Sequence, residues 1–505
     1  MKRFFLLASL FVLAGCQTQQ QQLPIVQAAL YDTSSVFYTD FNTYPATRNE
    51  LPIGVFDSGT GGLTVLEAIL ASELLPGEDY IYLGDQANMP YGNYSAENKT
   101  DFLRELIMKD AFFLLGEQVK ALVVACNTAT AYGLEDISDY LDKSQSGVKA
   151  IGVIHAGVNA TLDNIHPEED VAVGVMATTG TIASGGYENT FYALAQERDY
   201  TGRLQVINRG SYGFAEAVDG EQDFVSPTAR TVRETYRGPS LDHSDFSIDA
   251  QLLPVYSFDF TNNRMLWEGT PENLTVLQLN HAANYARYHL VSLVETLRQS
   301  DNPLPLQYLV LGCTHYPYEK AVLEETLQHL RNYEDPQGDH PYRDLIAPHV
   351  QLIDPALETA RQLYTQLTDD NLLTTATTPS TAAFYISVPI LDTDAAPTPS
   401  GSAASAGSAA SAGSAASAAS AGSAASAGSA ASAGSAEPVI SVPAPAERLD
   451  SLGRFTYAYK YGRTPGIFTQ DVLIVPFSKD NIDAETIDRL KTLPYTWPLL
   501  RWEDN

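Results

Sequence analysis

From about Leu51 to about Pro389 the chain repeats one pattern: a short apolar run, a turn of glycine and small polar residues, then apolar positions at helical spacing. The runs Ile53–Phe56, Ala121–Ala125, Ala150–Ile154, Val171–Val175 and Tyr308–Gly312 are apolar throughout, as strands buried on both faces are. They predict parallel strands in an α/β fold. Helices are predicted over Leu63–Leu75, Ala129–Leu141 and Tyr318–Leu330. Two strand-turn-helix units precede residue 150 and two follow it. This predicts two pseudo-symmetric lobes, each a mainly parallel sheet flanked by helices, with the active site in the cleft between them.

The pattern covers about residues 49–392 and is interrupted by a long insertion at about 190–275, whose Thr228–Glu268 stretch is rich in Asp, Tyr and Phe. A Gly/Ser/Ala/Pro-rich linker is expected over 393–446, since residues 400–436 contain only Gly, Ser and Ala and can pack no core. Residues 447–505 follow. Within them strands are predicted at Phe455–Tyr461 and Val472–Pro476 and a helix at Asp483–Leu493, together packing back on the main body. At the other end Lys2 and Arg3 precede an apolar Phe4–Leu13, too short to span a bilayer, and then Leu13-Ala14-Gly15-Cys16. This resembles a bacterial lipoprotein signal over residues 1–15, which implies Cys16 as the lipid attachment site. The expected protein is exported, anchored to a membrane and facing the periplasm, with residues 16–48, opening on the glutamine-rich 17–22, as its tether. Gln17, rather than aspartate, after Cys16 points to the outer membrane of a Gram-negative host.

Composition narrows the partners. Sixty-one acidic against 30 basic residues give a net charge of -31, which repels phosphate backbones and argues against nucleic acid. Three cysteines are too few for a disulfide framework, and neither they nor the nine histidines have metal-ligand spacing, so no metal is expected. Cys126 and Cys313 therefore need an explanation of their own.

Both cysteines sit in the same context. Ala121-Leu-Val-Val-Ala-Cys126-Asn127-Thr128 and Tyr308-Leu-Val-Leu-Gly-Cys313-Thr314-His315 each run a strand into cysteine, small polar residues and a helix. Ligands of open α/β sheets bind beyond the carboxyl ends of strands, where helix N-termini offer free N–H groups to anions. A free cysteine is ordinarily a buried core residue, but these two end strands in polar turns. Two such edges face to face put one thiol on each side of a small carboxylate. Inverting a carbon needs a base on one face and an acid on the other, and two thiols can exchange those roles. A third turn, Asp57-Ser58-Gly59-Thr60-Gly61-Gly62, fits neither nucleotide-binding glycine pattern. A fourth, Ala177-Thr-Thr-Gly-Thr181, is rich in hydroxyls.

Taken in order, D-S-G-x-G-G at Asp57, P-Y-G at Pro90–Gly92, C-N-T at Cys126–Thr128, G-T-I-x-S at Gly180–Ser184 and L-G-C-T-H-Y-P at Leu311–Pro317 resemble glutamate racemase, a member of the aspartate/glutamate racemase family. The resemblance implies a cofactor-independent amino-acid racemase, acting on glutamate before aspartate and supplying D-glutamate for peptidoglycan. It implies Cys126 and Cys313 as the acid/base pair, Cys126 acting on the D-enantiomer and Cys313 on the L-enantiomer, with Asp57 supporting the first and His315 the second. Asp57, Ser58, Tyr91, Gly92, Asn127, Thr128, Thr314 and His315 match substrate-binding positions. A homodimer is left open.

The chain departs from that family in four places. The 190–275 insertion falls where the family carries a substrate-side glutamate, and Asp219 is the residue that matches it. His155 stands where the family usually has an acidic residue. The Gly/Ser/Ala segment interrupts the family's terminal region. Export also separates the protein from the cytoplasm, where peptidoglycan precursors are built, and an oxidising compartment threatens a thiol pair. The competing readings are another reaction on the same scaffold (maleate isomerisation, hydantoin racemisation or malonate decarboxylation) or a lipid-anchored binding or structural protein that performs no turnover.

Overall fold

The computed structural model describes residues 23–270, 273–390, 448–450, 453–466 and 471–502. Cys16, the lipoprotein-like signal and the 400–436 segment lie outside the described residues. Twelve strands are described: β1 (Ile53–Asp57), β2 (Tyr80–Gly84), β3 (Ala121–Val124), β4 (Lys149–Gly152), β5 (Val171–Ala177), β6 (Leu204–Gly210), β7 (Met265–Thr270), β8 (Asn273–Leu279), β9 (Leu306–Gly312), β10 (Ile346–Ile353), β11 (Ala382–Pro389) and β12 (Val472–Pro476). They form a six-stranded sheet ordered β12-β11-β2-β1-β3-β4, a four-stranded sheet ordered β10-β9-β5-β6, and the hairpin β7-β8. All pairings in the two large sheets are parallel except β11 with β12. This is the expected α/β architecture, one sheet per lobe.

Burial explains the central strands. β1, β2, β3 and β5 are buried at every position, because helices cover both faces. In each lobe a cysteine-bearing strand lies beside a turn-bearing one: β3 pairs with β1, and β9 with β5. The crossover rule for parallel strands then puts all four strand-to-helix turns on the same sheet edge within their lobe.

Three expectations are corrected. Residues 23–48 are not a tether: Leu23, Ile25, Val26 and Ala29 are buried, helix α1 (Pro24–Tyr31) packs on the first lobe, and Phe37 and Tyr44 join the same core. Val153 and Ile154 do not continue β4 but open a helix, Val153–Leu162. The alternating aromatics of Phe455–Tyr461 do not form a strand. Thr456 caps a helix, Tyr457–Gly462, by accepting from Tyr459 N. The same rings then pair at helical spacing, Tyr457 with Tyr461 at 4.5 Å and Phe455 with Tyr459 at 4.9 Å between centroids. Beyond them β12 extends the first lobe's sheet, and helix Ala484–Leu490, capped by Asp483, packs with Trp497 and Trp502 on that lobe's core. The insertion is built into the second lobe, with Ile248, Val255, Tyr256 and Met265 in its core.

One charge pair lies inside the first lobe. Lys120 Nζ is 2.5 Å from Glu78 Oε2, their side chains 0% and 1% exposed, and it also donates to the carbonyls of Asn49 and Leu372. Removing one partner strands the other's charge, so Lys120→Met is expected to cost about 3–5 kcal/mol. Urea unfolding of that variant against the Glu78→Gln/Lys120→Met double variant checks this: the double variant should recover most of the loss.

Candidate active site

Each turn of the cleft is fixed by its own local bonds. Asp57, at the end of β1, is fully buried; its Oδ2 accepts from Gly59 N at 3.1 Å and Gly62 N at 3.0 Å, while Oδ1 accepts from the Thr314 hydroxyl at 3.4 Å. Tyr82 OH donates to Gly59 O and holds the turn from below. Gly61 lets this turn approach the other lobe, since a Cβ there would lie 2.6 Å from Thr314 Oγ1 and 2.7 Å from His315 Cε1. Gly92 serves similarly against Thr178, whose Cβ a side chain would meet at 2.5 Å.

Cys126 caps the helix Asn127–Lys143, its Sγ accepting from Ala129 N at 3.4 Å and lying 3.8 Å from Ser58 Oγ. Burial and the nearby Asp57 carboxylate push this thiol well up, so it is protonated at neutral pH. Asn127 is held by Tyr187 OH, at 2.6 Å. Thr128, Thr178 and Thr181 form a hydroxyl triangle with sides of 2.9–3.0 Å that joins the two lobes.

Across the cleft His315 Nδ1 lies 3.5 Å from Cys313 Sγ. His315 Nε2 lies 3.3 Å from Asp219 Oδ1, an ion-pair distance without an aligned hydrogen bond. Burial opposes charge on this imidazole, but Asp219 and the Cys313 sulfur outweigh it and raise His315 well above the ordinary histidine range. Burial likewise opposes ionisation of Asp219, and His315 and Arg489 overcome it, holding the carboxyl low. Burial raises Asp57 despite His315 and its two backbone donors.

Ser58, Tyr91, Gly92, Cys126, Asn127, Thr128, Cys313, Thr314 and His315 thus line one cavity, with Pro90, Thr178 and Ala215. Asp57 lies directly behind it. Both thiols are free. The free volume is about 10 Å³, room for roughly one water. Tyr91 presents its backbone rather than its hydroxyl, which is bonded to Asp85 at 2.6 Å and Asp110 at 2.7 Å. Among the described residues no cluster of three metal-ligating side chains occurs. A larger, open cavity of about 410 Å³ beside β4, lined by His155 and Arg361, contains neither thiol and no convergent catalytic groups.

Sequence reasoning passed over Gln86, Tyr82, Tyr187 and Arg489. Gln86 Nε2 donates to Asp219 at 3.1 Å and its Oε1 accepts from Thr60 N. Nothing local in the sequence marks these residues; only the folded cleft brings them together.

The lobes also meet through Asn93, which donates to Glu216 at 2.8 Å. Burial raises the Glu216 carboxyl to about 7. A carboxyl raised on folding binds more protons folded than unfolded, so its contribution is present below about pH 4.5 and is lost as pH rises to about 7, on the order of 3 kcal/mol in all. Glu216→Gln should flatten that fall, read as melting temperature against pH between 5 and 8.

These features define a two-lobed α/β enzyme with an opposed pair of free thiols in its cleft. No family model matches the chain. Glutamate racemase of Oceanobacillus iheyensis is 41% identical over 275 residues, 54% of this chain and 71% of that protein. That of Latilactobacillus sakei is 28% identical over 335 residues, 66% of this chain and 85% of that protein. A crystal structure of a glutamate racemase isoform from Bacillus anthracis covers 66% of this chain and 88% of its own, at 25% identity and a TM-score of 0.41. The chain belongs to the glutamate racemase family and is an isomerase of the racemase type.

Proposed function

We propose that the protein interconverts L- and D-glutamate by two-base proton transfer. The observation that carries this is the pair of free thiols lining one cavity, one beside a buried imidazolium and the other capping a helix. The backbone N–H groups of the Ser58, Asn127 and Thr314 turns suit the substrate carboxylates. Cys313, beside the His315 imidazole, removes the α-proton of the L-enantiomer. Protonated Cys126 returns a proton to the opposite face, and the reverse reaction exchanges the roles. Asp57 stands behind Cys126 and Asp219 behind His315.

In this reading Cys16 carries the lipid and the enzyme is exported, on the strength of Leu13-Ala14-Gly15-Cys16. D-Glutamate for peptidoglycan is the family's product, and export would place its formation outside the compartment where precursors are assembled. Incubation of the purified, reduced protein with L-glutamate and, separately, L-aspartate, followed by chiral chromatography, tests the substrate. D-Glutamate formed faster than D-aspartate supports the proposal; a folded protein that inverts neither overturns it.

A further inference from the structure

The chain beyond residue 447 reaches the cleft in two places. Helix Tyr457–Gly462 grips the Pro90–Gly92 loop: Lys460 donates to Met89 O, Tyr461 OH to Pro90 O at 3.2 Å, and Lys460 also pairs with Glu221 of the other lobe at 3.2 Å. Arg463, just after it, donates to Asn88 Oδ1 at 2.6 Å and Tyr94 OH at 2.9 Å. Helix Ala484–Leu490 reaches the acid/base machinery itself. Its Arg489 donates to Asp219 Oδ1 at 2.7 Å, to Val218 O, and to Thr60 Oγ1 at 3.5 Å, and lies 5.5 Å from the centre of the Tyr318 ring. The guanidinium is 13% exposed and the carboxylate 2%.

We propose that Arg489 is a positioning residue for the racemase reaction: the C-terminal segment delivers its guanidinium to Asp219 and fixes the carboxylate that faces His315. The contact has a clear physical consequence. Asp219 Oδ1 is shared between His315 and Arg489, so the carboxylate cannot rotate away from the imidazole without breaking a 2.7 Å charged bond. Val218 O and Thr60 tie the same guanidinium to one residue of each lobe, which couples the closed cleft to the docked segment. The groups facing His315 are then Asp57 at the end of β1, Cys313 at the end of β9, Asp219, and Arg489 behind Asp219. Arg489 is the positive charge that tempers this otherwise acidic surround.

The inference rests on the racemase reading, and its test separates the two. Arg489→Gln removes the charge and shortens the side chain, and Arg489→Lys keeps the charge. With the full chain, Arg489→Gln is expected to lower kcat roughly 10- to 100-fold, the effect of misplacing a reacting group by about 1 Å, with KM little changed. Arg489→Lys should recover much of the loss. Independently of turnover, Arg489→Gln changes both the charge and the carboxylate placement beside His315, so the His315 ring titration shifts. NMR of protein labelled at histidine Cε1, with the resonance assigned by His315→Gln, reads that shift. Wild-type kcat in Arg489→Gln, no recovery in Arg489→Lys, or an unmoved His315 titration would each overturn the proposal. Wild-type protein that inverts no amino acid would instead overturn the racemase reading, and the His315 titration would still decide whether Arg489 acts on this pair.

Discussion

Cys126→Ala and Cys313→Ala each abolish inversion while leaving half of the proton chemistry in place. General acid or base catalysis is worth roughly 10²- to 10⁴-fold, and inversion needs both groups, so D-product from L-glutamate should fall at least that far in either variant. What remains differs between them. With Cys313 intact, Cys126→Ala can still take and return the α-proton on one face, so it exchanges the α-hydrogen of L-glutamate with solvent and retains configuration. Cys313→Ala should do the same for D-glutamate only. Both thiols are buried at 6% exposure and a methyl fits where each sulfur sits, so the variants should stay folded. Proton NMR of each enantiomer in deuterated buffer reads the exchange. Exchange of both enantiomers by one variant would show that the two thiols are not confined to opposite faces.

His315→Gln is the second large effect. The imidazolium lies 3.5 Å from Cys313 and 3.3 Å from Asp219, with 2% of its surface exposed. Its removal leaves Cys313 without the imidazole that lies beside it in the buried cleft. A loss of roughly 10²- to 10³-fold in kcat/KM is expected. Because two enantiomers have equal free energy, kcat/KM must fall equally in both directions, so the direction of the defect is invisible there. Isotope effects reveal it: α-deuterium should slow L-to-D conversion more than D-to-L, since only the first begins with proton removal by Cys313. Equal substrate isotope effects in both directions would contradict the pairing of His315 with Cys313.

How far the sequence discloses this site depends on how local each cause is. Cys126 and Cys313 are legible because the strand, the thiol, the small polar residues and the helix follow one another directly, and that order fixes the sheet edge on which they land. β3 and β9 are legible for the same reason, being buried on both faces. β2 escapes notice although every residue is buried, because its two tyrosines read as polar. β10 is hidden by Pro348 and His349, which lie where its register with β9 shifts. The aromatic alternation at Phe455–Tyr461 fits a strand and a helix equally well, and the cap at Thr456 decides it. Arg489 is illegible in principle: 270 residues separate it from Asp219, and no periodicity or motif spans such a gap.

The most direct test of opposed thiols follows L-glutamate in deuterated water with the purified, reduced wild-type protein, sampling early in the reaction. D-Glutamate should carry deuterium at the α-carbon from its first appearance while the remaining L-glutamate stays unlabelled. Label entering both enantiomers at equal rates would mean one base working on both faces, and D-product without deuterium would mean the proton is carried across rather than exchanged.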